Sequence, residues 1–283
     1  MKRALFWATA ALVLSALSPV ALSQSAAPAG EIDIVVARNW PLVMPDGPPK
    51  MSNECSSRTI AGDAYRRPLR GLRRALRAKR EPKVLAVGSS STVGVGASHP
   101  SATYVAKLET NLEGAFKGLD FDVVARGLSG EVAEGQSARM KREVEDHKPD
   151  LVVWQVGTND AIRKVDLDSF KACLRRTLAW LNEQRIDVVL VDPQYGDKLT
   201  RDAHYEATVA ALAEVAREMR VLLVDRFEAM RELSKARGDG YYLTGDDLHL
   251  NDAGYRCMAE QLARAIVSGV LMAETEITDA SNR

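Results

Sequence analysis

Lys83-Val84-Leu85-Ala86-Val87-Gly88-Ser89-Ser90-Ser91-Thr92-Val93-Gly94 is an apolar run of strand length that ends in a turn crowded with hydroxyls. Val84 to Val87 carry no polar side chain, which suits a strand covered on both faces. Gly88, then Gly94 and Gly96, punctuate the exit as a tight turn and loop. In an open α/β sheet such a turn lies at the carboxyl edge, where ligands bind. Alone, the stretch reads as an ordinary loop or a phosphate cradle more readily than as the seat of a nucleophile. Two later stretches change that balance: Gly157-Thr158-Asn159-Asp160 and Asp246-Asp247-Leu248-His249-Leu250.

Outward from this strand, apolar runs and helical patterns alternate. Strands are expected at Val84–Val87, Phe121–Ala125, Leu151–Val156, Asp187–Val191 and Val221–Val224. Helices are expected over Ser101–Phe116, Glu134–His147, Leu167–Gln184 and Arg201–Met219, with a closing helix from Asp252 to about Ser268. This order predicts a doubly wound, flavodoxin-like three-layer α/β sandwich on five parallel strands. A basic segment, Arg66 to Arg80, places Leu69, Leu72 and Leu76 on one helical face, and arginines dominate the rest. It reads as a solvated helix packed on the sheet rather than as a polyanion-binding stripe. The domain is expected to span residues 58–270, with a polar, frayed tail over 271–283.

The chain has 283 residues, 46% of them hydrophobic, enough to bury a full core. Its 38 basic and 38 acidic residues cancel, so no net field favours nucleic acid. The first 23 residues read as a signal peptide: Lys2-Arg3, an apolar run from Ala4 to about Ala21, then small residues around Ser23. An uncleaved anchor is the competing reading, disfavoured by the run's length and by Pro19. No cysteine follows to direct lipoprotein processing. Residues 24–57, with one apolar patch at Ile32–Val36, form an extended lead-in. The mature chain is therefore expected to be periplasmic or secreted, without stable membrane insertion. In an oxidising compartment its three cysteines make one pair and one thiol. Cys173 lies in the apolar stripe Phe170, Leu174, Thr177, Leu178 and Leu181, which leaves Cys55 to pair with Cys257. The spacing suits neither a zinc site nor a Cys-x-x-Cys redox pair.

The loops after the strands carry the chemistry. Ser90, Gly130 in Arg126-Gly127-Leu128-Ser129-Gly130-Glu131, Asn159, and the Asp246/His249 pair all fall where a parallel sheet presents its carboxyl edge. A serine hydroxyl needs an imidazole to take its proton, and the imidazole needs a carboxylate to fix its tautomer. Asp246, three residues before His249, can supply that carboxylate within one turn. A tetrahedral oxyanion needs donors, and the Ser90 and Gly130 N–H groups and the Asn159 amide are the available set.

These blocks resemble those of the SGNH (GDSL-like) hydrolase superfamily, in its order, over roughly Lys83 to Ser268. Within it the chain is most similar to an exported subset with a Gly-Ser-Ser-Ser-Thr first block. The resemblance implies Ser90 as nucleophile, His249 as base, Asp246 as its partner, and Ser90, Gly130 and Asn159 as oxyanion donors. It also implies esterase, lipase, deacetylase or acyltransferase activity without metal or cofactor. One departure stands out: the family carries Asp where this chain has Ser89, so the hydrogen bonds at the turn must differ. Several assignments keep a competitor: Ser89 or Ser91 as nucleophile, Asp247 as the acid, and Gly127 as the second oxyanion residue. Tyr195 and His204 read as rim or packing residues, with a place at the substrate mouth as the other reading. Asn251 and Asp252 fit a helix start, and His99 and His147 carry no supporting context.

The expected function is hydrolysis of ester-linked acyl groups on a small molecule or a glycan. Short acyl groups are favoured because no long lid is inserted between the blocks. An O-acyltransferase with the same triad and a non-catalytic envelope-binding protein are the competing readings. A phosphate- or nucleotide-binding module is a third, but it leaves Asn159 and His249 without a task.

Overall fold

The computed structural model describes residues 43–56 and 67–281. The signal-like segment, the Ile32–Val36 patch and the join at 57–66 lie outside the described residues. Five strands form one parallel sheet: β1 (Lys83–Gly88), β2 (Asp122–Gly127), β3 (Leu151–Gln155), β4 (Asp187–Val191) and β5 (Leu222–Val224). Their order is β2-β1-β3-β4-β5, so the chain reverses direction across the sheet at β1. The crevice at which such a sheet binds ligands thus lies at the carboxyl end of β1, where Ser90 stands.

The period-two alternation of the strands divides the core into two layers. Val84, Ala86, Leu151, Val153, Val189, Val191, Leu222 and Val224 face one layer, with side chains from α1 (Arg70–Arg77), α3 (Tyr104–Ala115), α8 (Arg226–Arg237) and α9 (Asp252–Ser281). Leu85, Val87, Val152, Trp154, Val188, Leu190 and Leu223 face the other, against α4 (Ala133–His147), α6 (Leu167–Glu183) and α7 (Ala203–Glu218). Burial on both faces is why β3 reads Leu-Val-Val-Trp without alternation.

Two elements depart from expectation. The closing helix does not end near Ser268; α9 continues to Ser281. Val267, Val270 and Ala273 are buried, and Glu274 forms ion pairs with Arg73 and Arg77 of α1. The Arg73–Glu274 contact ties this part of α9 to the basic helix, 201 residues distant along the chain. Correspondingly, Arg73 is buried rather than solvated, while Leu69, Leu72 and Leu76 pack inward as their spacing requires. Helix α8, which the periodicity reading left out, is capped by Asp225, whose carboxylate accepts from the Glu228 N–H.

A disulfide joins Cys55 to Cys257, and Cys173 is a buried thiol, as expected. The bond ties the lead-in segment to α9. Among the described residues no helix is long and apolar enough to cross a membrane.

Candidate active site

Ser90 opens a one-turn helix, α2 (Ser90–Val93), at the end of β1. Of the three consecutive serines, Ser89 and Ser91 are buried and only Ser90 reaches solvent. Ser89 is spent on structure: its N–H and its hydroxyl both donate to Gln155 Oε1, at 3.2 and 3.3 Å. This buried amide takes up the hydrogen bonding at the turn where the family carries Asp. Behind the turn, a Cβ on Gly127 would lie 2.5 Å from the Val93 nitrogen and 2.9 Å from the Ser89 carbonyl. Gly127 is therefore the seat on which the serine turn rests, where any side chain would clash.

The second block is positioned by Arg139 of α4. Its Nη2 donates to the Gly88 carbonyl (3.2 Å), the Arg126 carbonyl (2.9 Å) and Glu131 Oε2 (2.8 Å), gathering the ends of β1 and β2 and the loop that follows. Gly130 in that loop has φ +76°. The third block folds as α5 (Thr158–Ile162), and Asn159 Nδ2 donates to the Glu131 carbonyl at 3.0 Å, so the second and third blocks are bonded directly. One Nδ2 hydrogen remains for a ligand. Asp160, next in the block, is buried, and both its oxygens accept from the Ala133 N–H, at 3.0 and 3.1 Å. Burial pushes its carboxyl up to about 6 against that hydrogen bond.

The last block is a tight loop closed by the Leu243–Leu250 bridge. Asp246 Oδ1 accepts from the Thr244 hydroxyl (2.6 Å) and from the N–H groups of Leu248 (3.0 Å) and His249 (2.9 Å). Its Oδ2 accepts from His249 Nδ1 at 2.5 Å. Burial alone would raise the Asp246 carboxyl, but the hydrogen bonds from His249 and Thr244 and from the loop N–H groups outweigh it and hold the group below the usual carboxylate range. An ionised acceptor on Nδ1 leaves the lone pair on Nε2. Asp247 turns away, with φ +57°, and pairs with Lys198.

The histidine loop abuts the serine loop. Val95 N–H donates to the Ser90 carbonyl at 3.0 Å, and a Cβ on the next residue, Gly96, would lie 3.4 Å from His249 Cβ. The Tyr255 hydroxyl donates to the Val95 carbonyl (2.7 Å), and Ser98 N–H to Asp252 (2.8 Å), so the start of α9 grips the loop after Ser90. His249 and Ser90 form no direct hydrogen bond among the described residues. The other histidines serve structure. His99 Nδ1 accepts from Ser101 N–H at 3.2 Å, and His204 Nε2 donates to the Val165 carbonyl at 3.1 Å. Tyr195 packs edge-on against Phe227, and Asn251 caps α9 through the N–H groups of Ala253 and Gly254.

Residues 55–272 match the non-GDSL lipase-like family. The chain belongs to that family, within the SGNH hydrolase superfamily. By family it is a serine-type carboxylic ester hydrolase. An acetylxylan esterase of Geobacillus stearothermophilus is 27% identical over 194 residues, 63% of this chain and 84% of that one. An arylesterase of Vibrio mimicus is 27% identical over 132 residues, 44% of this chain and 62% of its own length. The solved structure of the Geobacillus enzyme, Axe2, superposes with a TM-score of 0.57 at 26% identity, covering 65% of this chain and 94% of that one.

In this SGNH hydrolase a buried polar bridge joins the histidine loop to the Asn159 loop, and no motif announces it. Gln194 Nε2 donates to the Leu248 carbonyl (2.9 Å), and its Oε1 accepts from the Thr158 hydroxyl (2.9 Å) and from Arg226 Nη2 (3.0 Å). Arg226, 1% exposed, also donates from Nε and Nη2 to the Asp192 carbonyl. The only sequence signal was a Pro-bearing loop at the end of β4 that contains a polar residue. Arg139, on a helix face among other charged residues, gave none.

Proposed function

We propose that this protein is an exported enzyme that hydrolyses short, acetyl-like esters through an acyl-enzyme on Ser90. The observation that carries the reading is the 2.5 Å Asp246–His249 hydrogen bond, made in a loop clasped against the loop that leaves Ser90. In this mechanism Ser90 Oγ attacks the ester carbonyl while His249 Nε2 takes its proton. Asp246 holds the imidazole in the required tautomer and stabilises the imidazolium. The oxyanion receives the Ser90 and Gly130 N–H groups and the second Nδ2 hydrogen of Asn159. Collapse breaks the C–O bond to the alcohol, which leaves with the proton from His249. Water, deprotonated by the same imidazole, then releases the acid and restores Ser90.

Export is supported by the signal-like first 23 residues and by the Cys55–Cys257 disulfide. An O-acetylated glycan or envelope polymer as substrate is supported by the likeness to an enzyme named acetylxylan esterase, and short acyl groups by the absence of a long insertion between the blocks.

The test is release of p-nitrophenol from acetate and from longer-chain esters by the mature protein. Ser90→Ala and His249→Ala should fall to background, and Asp246→Asn by about 10³- to 10⁴-fold in kcat. Rates that decline with acyl length fit the short-acyl reading. An inert wild type that also escapes labelling by an organophosphonate overturns the mechanism.

A further inference from the structure

Arg163 ends α5 one helical turn beyond Asn159, its N–H donating to the Asn159 carbonyl at 2.9 Å. Residues four apart share a helix face, so its side chain lies beside that of Asn159. Its guanidinium reaches over the second block: Nη2 is 3.2 Å from the position a Cβ on Gly130 would take. Two of the three groups proposed as oxyanion donors thus have this cation as a neighbour.

The cations around it are occupied. Arg139 pairs with Glu131 at 2.8 Å, Arg176 with Glu134 at 2.8 Å, and Lys164 with Asp202. Arg163 is exposed, and its guanidinium makes no hydrogen bond or ion pair among the described residues. The carboxylate whose titration it influences, Asp160, is buried and engaged with the Ala133 N–H. Two exposed apolar side chains flank it: Ile162, the preceding residue, is 44% exposed, and Leu128, two residues before Gly130, 57%. A guanidinium set in an apolar rim keeps less of its hydration and gains more from a fixed anion than one among polar neighbours.

The geometry points to Arg163 as a recognition site for a carboxylate, or a comparable anion, carried by the substrate within a side chain's length of the scissile carbonyl. This rests on the ester hydrolase reading and narrows it to esters that bear a negative charge. The planar fork of the guanidinium matches a carboxylate in two parallel hydrogen bonds, and the apolar rim covers the carbon skeleton between anion and ester. Anchoring at Arg163 holds the carbonyl toward Gly130 and Asn159 without taking part in bond making.

Two matched substrate pairs test it, because the anion can sit on either side of the ester. Monoethyl succinate against ethyl butyrate places the charge on the acyl side. 4-Acetoxybenzoate against its methyl ester places it on the alcohol side. Hydrolysis is followed by proton release at constant pH and by product chromatography for wild type, Arg163→Gln, Arg163→Lys and Arg217→Gln. The last removes the same charge from the carboxyl-terminal turn of α7.

In one pair, Arg163→Gln should lower kcat/KM for the anionic member about tenfold more than for the neutral one, chiefly through KM. Arg163→Lys should recover part of the difference, Arg217→Gln should leave the preference intact, and salt should erode the preference of the wild type. The pair that responds identifies the side bearing the anion. Equal losses for charged and neutral members in both pairs overturn the anion site while leaving the esterase standing. A wild type inert to all four esters removes the hydrolase reading, and this inference with it.

Discussion

The side-chain amide of Gln194 donates to the carbonyl of Leu248 at 2.9 Å, joining the loop after β4 to the loop that carries Asp246 and His249. The other end of the same amide accepts from Thr158, which neighbours Asn159. One buried side chain therefore sets the distance between the proposed base and the proposed oxyanion donor.

Replacing Gln194 with Glu keeps the acceptor for Thr158 and Arg226 but removes the donor to Leu248. A displacement of about 1 Å can cost on the order of 100-fold in rate. We expect kcat to drop by about 10- to 100-fold with KM little changed, and Gln194→Leu to be worse because it also removes the acceptor shared by Thr158 and Arg226. A purely structural role would lower the melting temperature without altering kcat of the folded enzyme, so both are measured on each variant.

Two carboxyls give the fold a pH dependence opposite to that of an ordinary salt-bridged protein. Asp160 caps α4 through Ala133 N–H and Asp187 caps α1 through Leu72 N–H, helices whose own N-cap residues, Val132 and Leu69, offer no side-chain oxygen. Burial raises each carboxyl from 3.8 to about 6. The folded chain thus binds the proton more tightly than the unfolded chain, so stability is greatest below pH 4 for these groups and declines as pH rises from about 4 to about 6. The decline is at most about 3 kcal/mol for each group. Asp160→Asn and Asp187→Asn retain an acceptor for the N–H and should flatten this part of the curve, read as melting temperature against pH. A decline of unchanged size in both variants would show that other groups cause it.

The Cys55–Cys257 bond closes a loop with a sequence separation of 202. Loop-closure entropy over that length corresponds to about 5 kcal/mol, toward the upper end of what disulfides contribute. For a domain of this size that is a melting point lower by about 10–20 °C on reduction, or in Cys55→Ser/Cys257→Ser. Equal melting points with and without reductant would mean that the Glu54 contacts, the Arg256 ion pair and the hydrogen bond from the Tyr242 hydroxyl, hold the lead-in segment unaided.

The five strands, their parallel pairing and the carboxyl-edge loops were legible in the sequence. Period-two and period-3.6 patterns are local, and a parallel sheet covered on both faces leaves unbroken apolar runs such as Leu151–Val153. Asp246 and His249 were legible for the same reason: three residues apart, they meet within one loop turn. The cysteine pair followed from counting, because the helical stripe accounted for Cys173.

Only the tertiary structure decided the rest. Which serine reaches solvent depends on Gln155, which lies 66 residues from Ser89 and claims its hydroxyl. The contact of α9 with the basic helix is made by Glu274 meeting Arg73 and Arg77 across the fold. Gln194, Arg139 and Arg163 act through partners on other elements, and a side chain whose contacts are all long-range carries no periodicity, spacing or neighbour that marks it. Local patterns encode strands, helices and a loop-borne acid–base pair. Polar contacts between distant loops are set only when the sheet brings those loops to one edge.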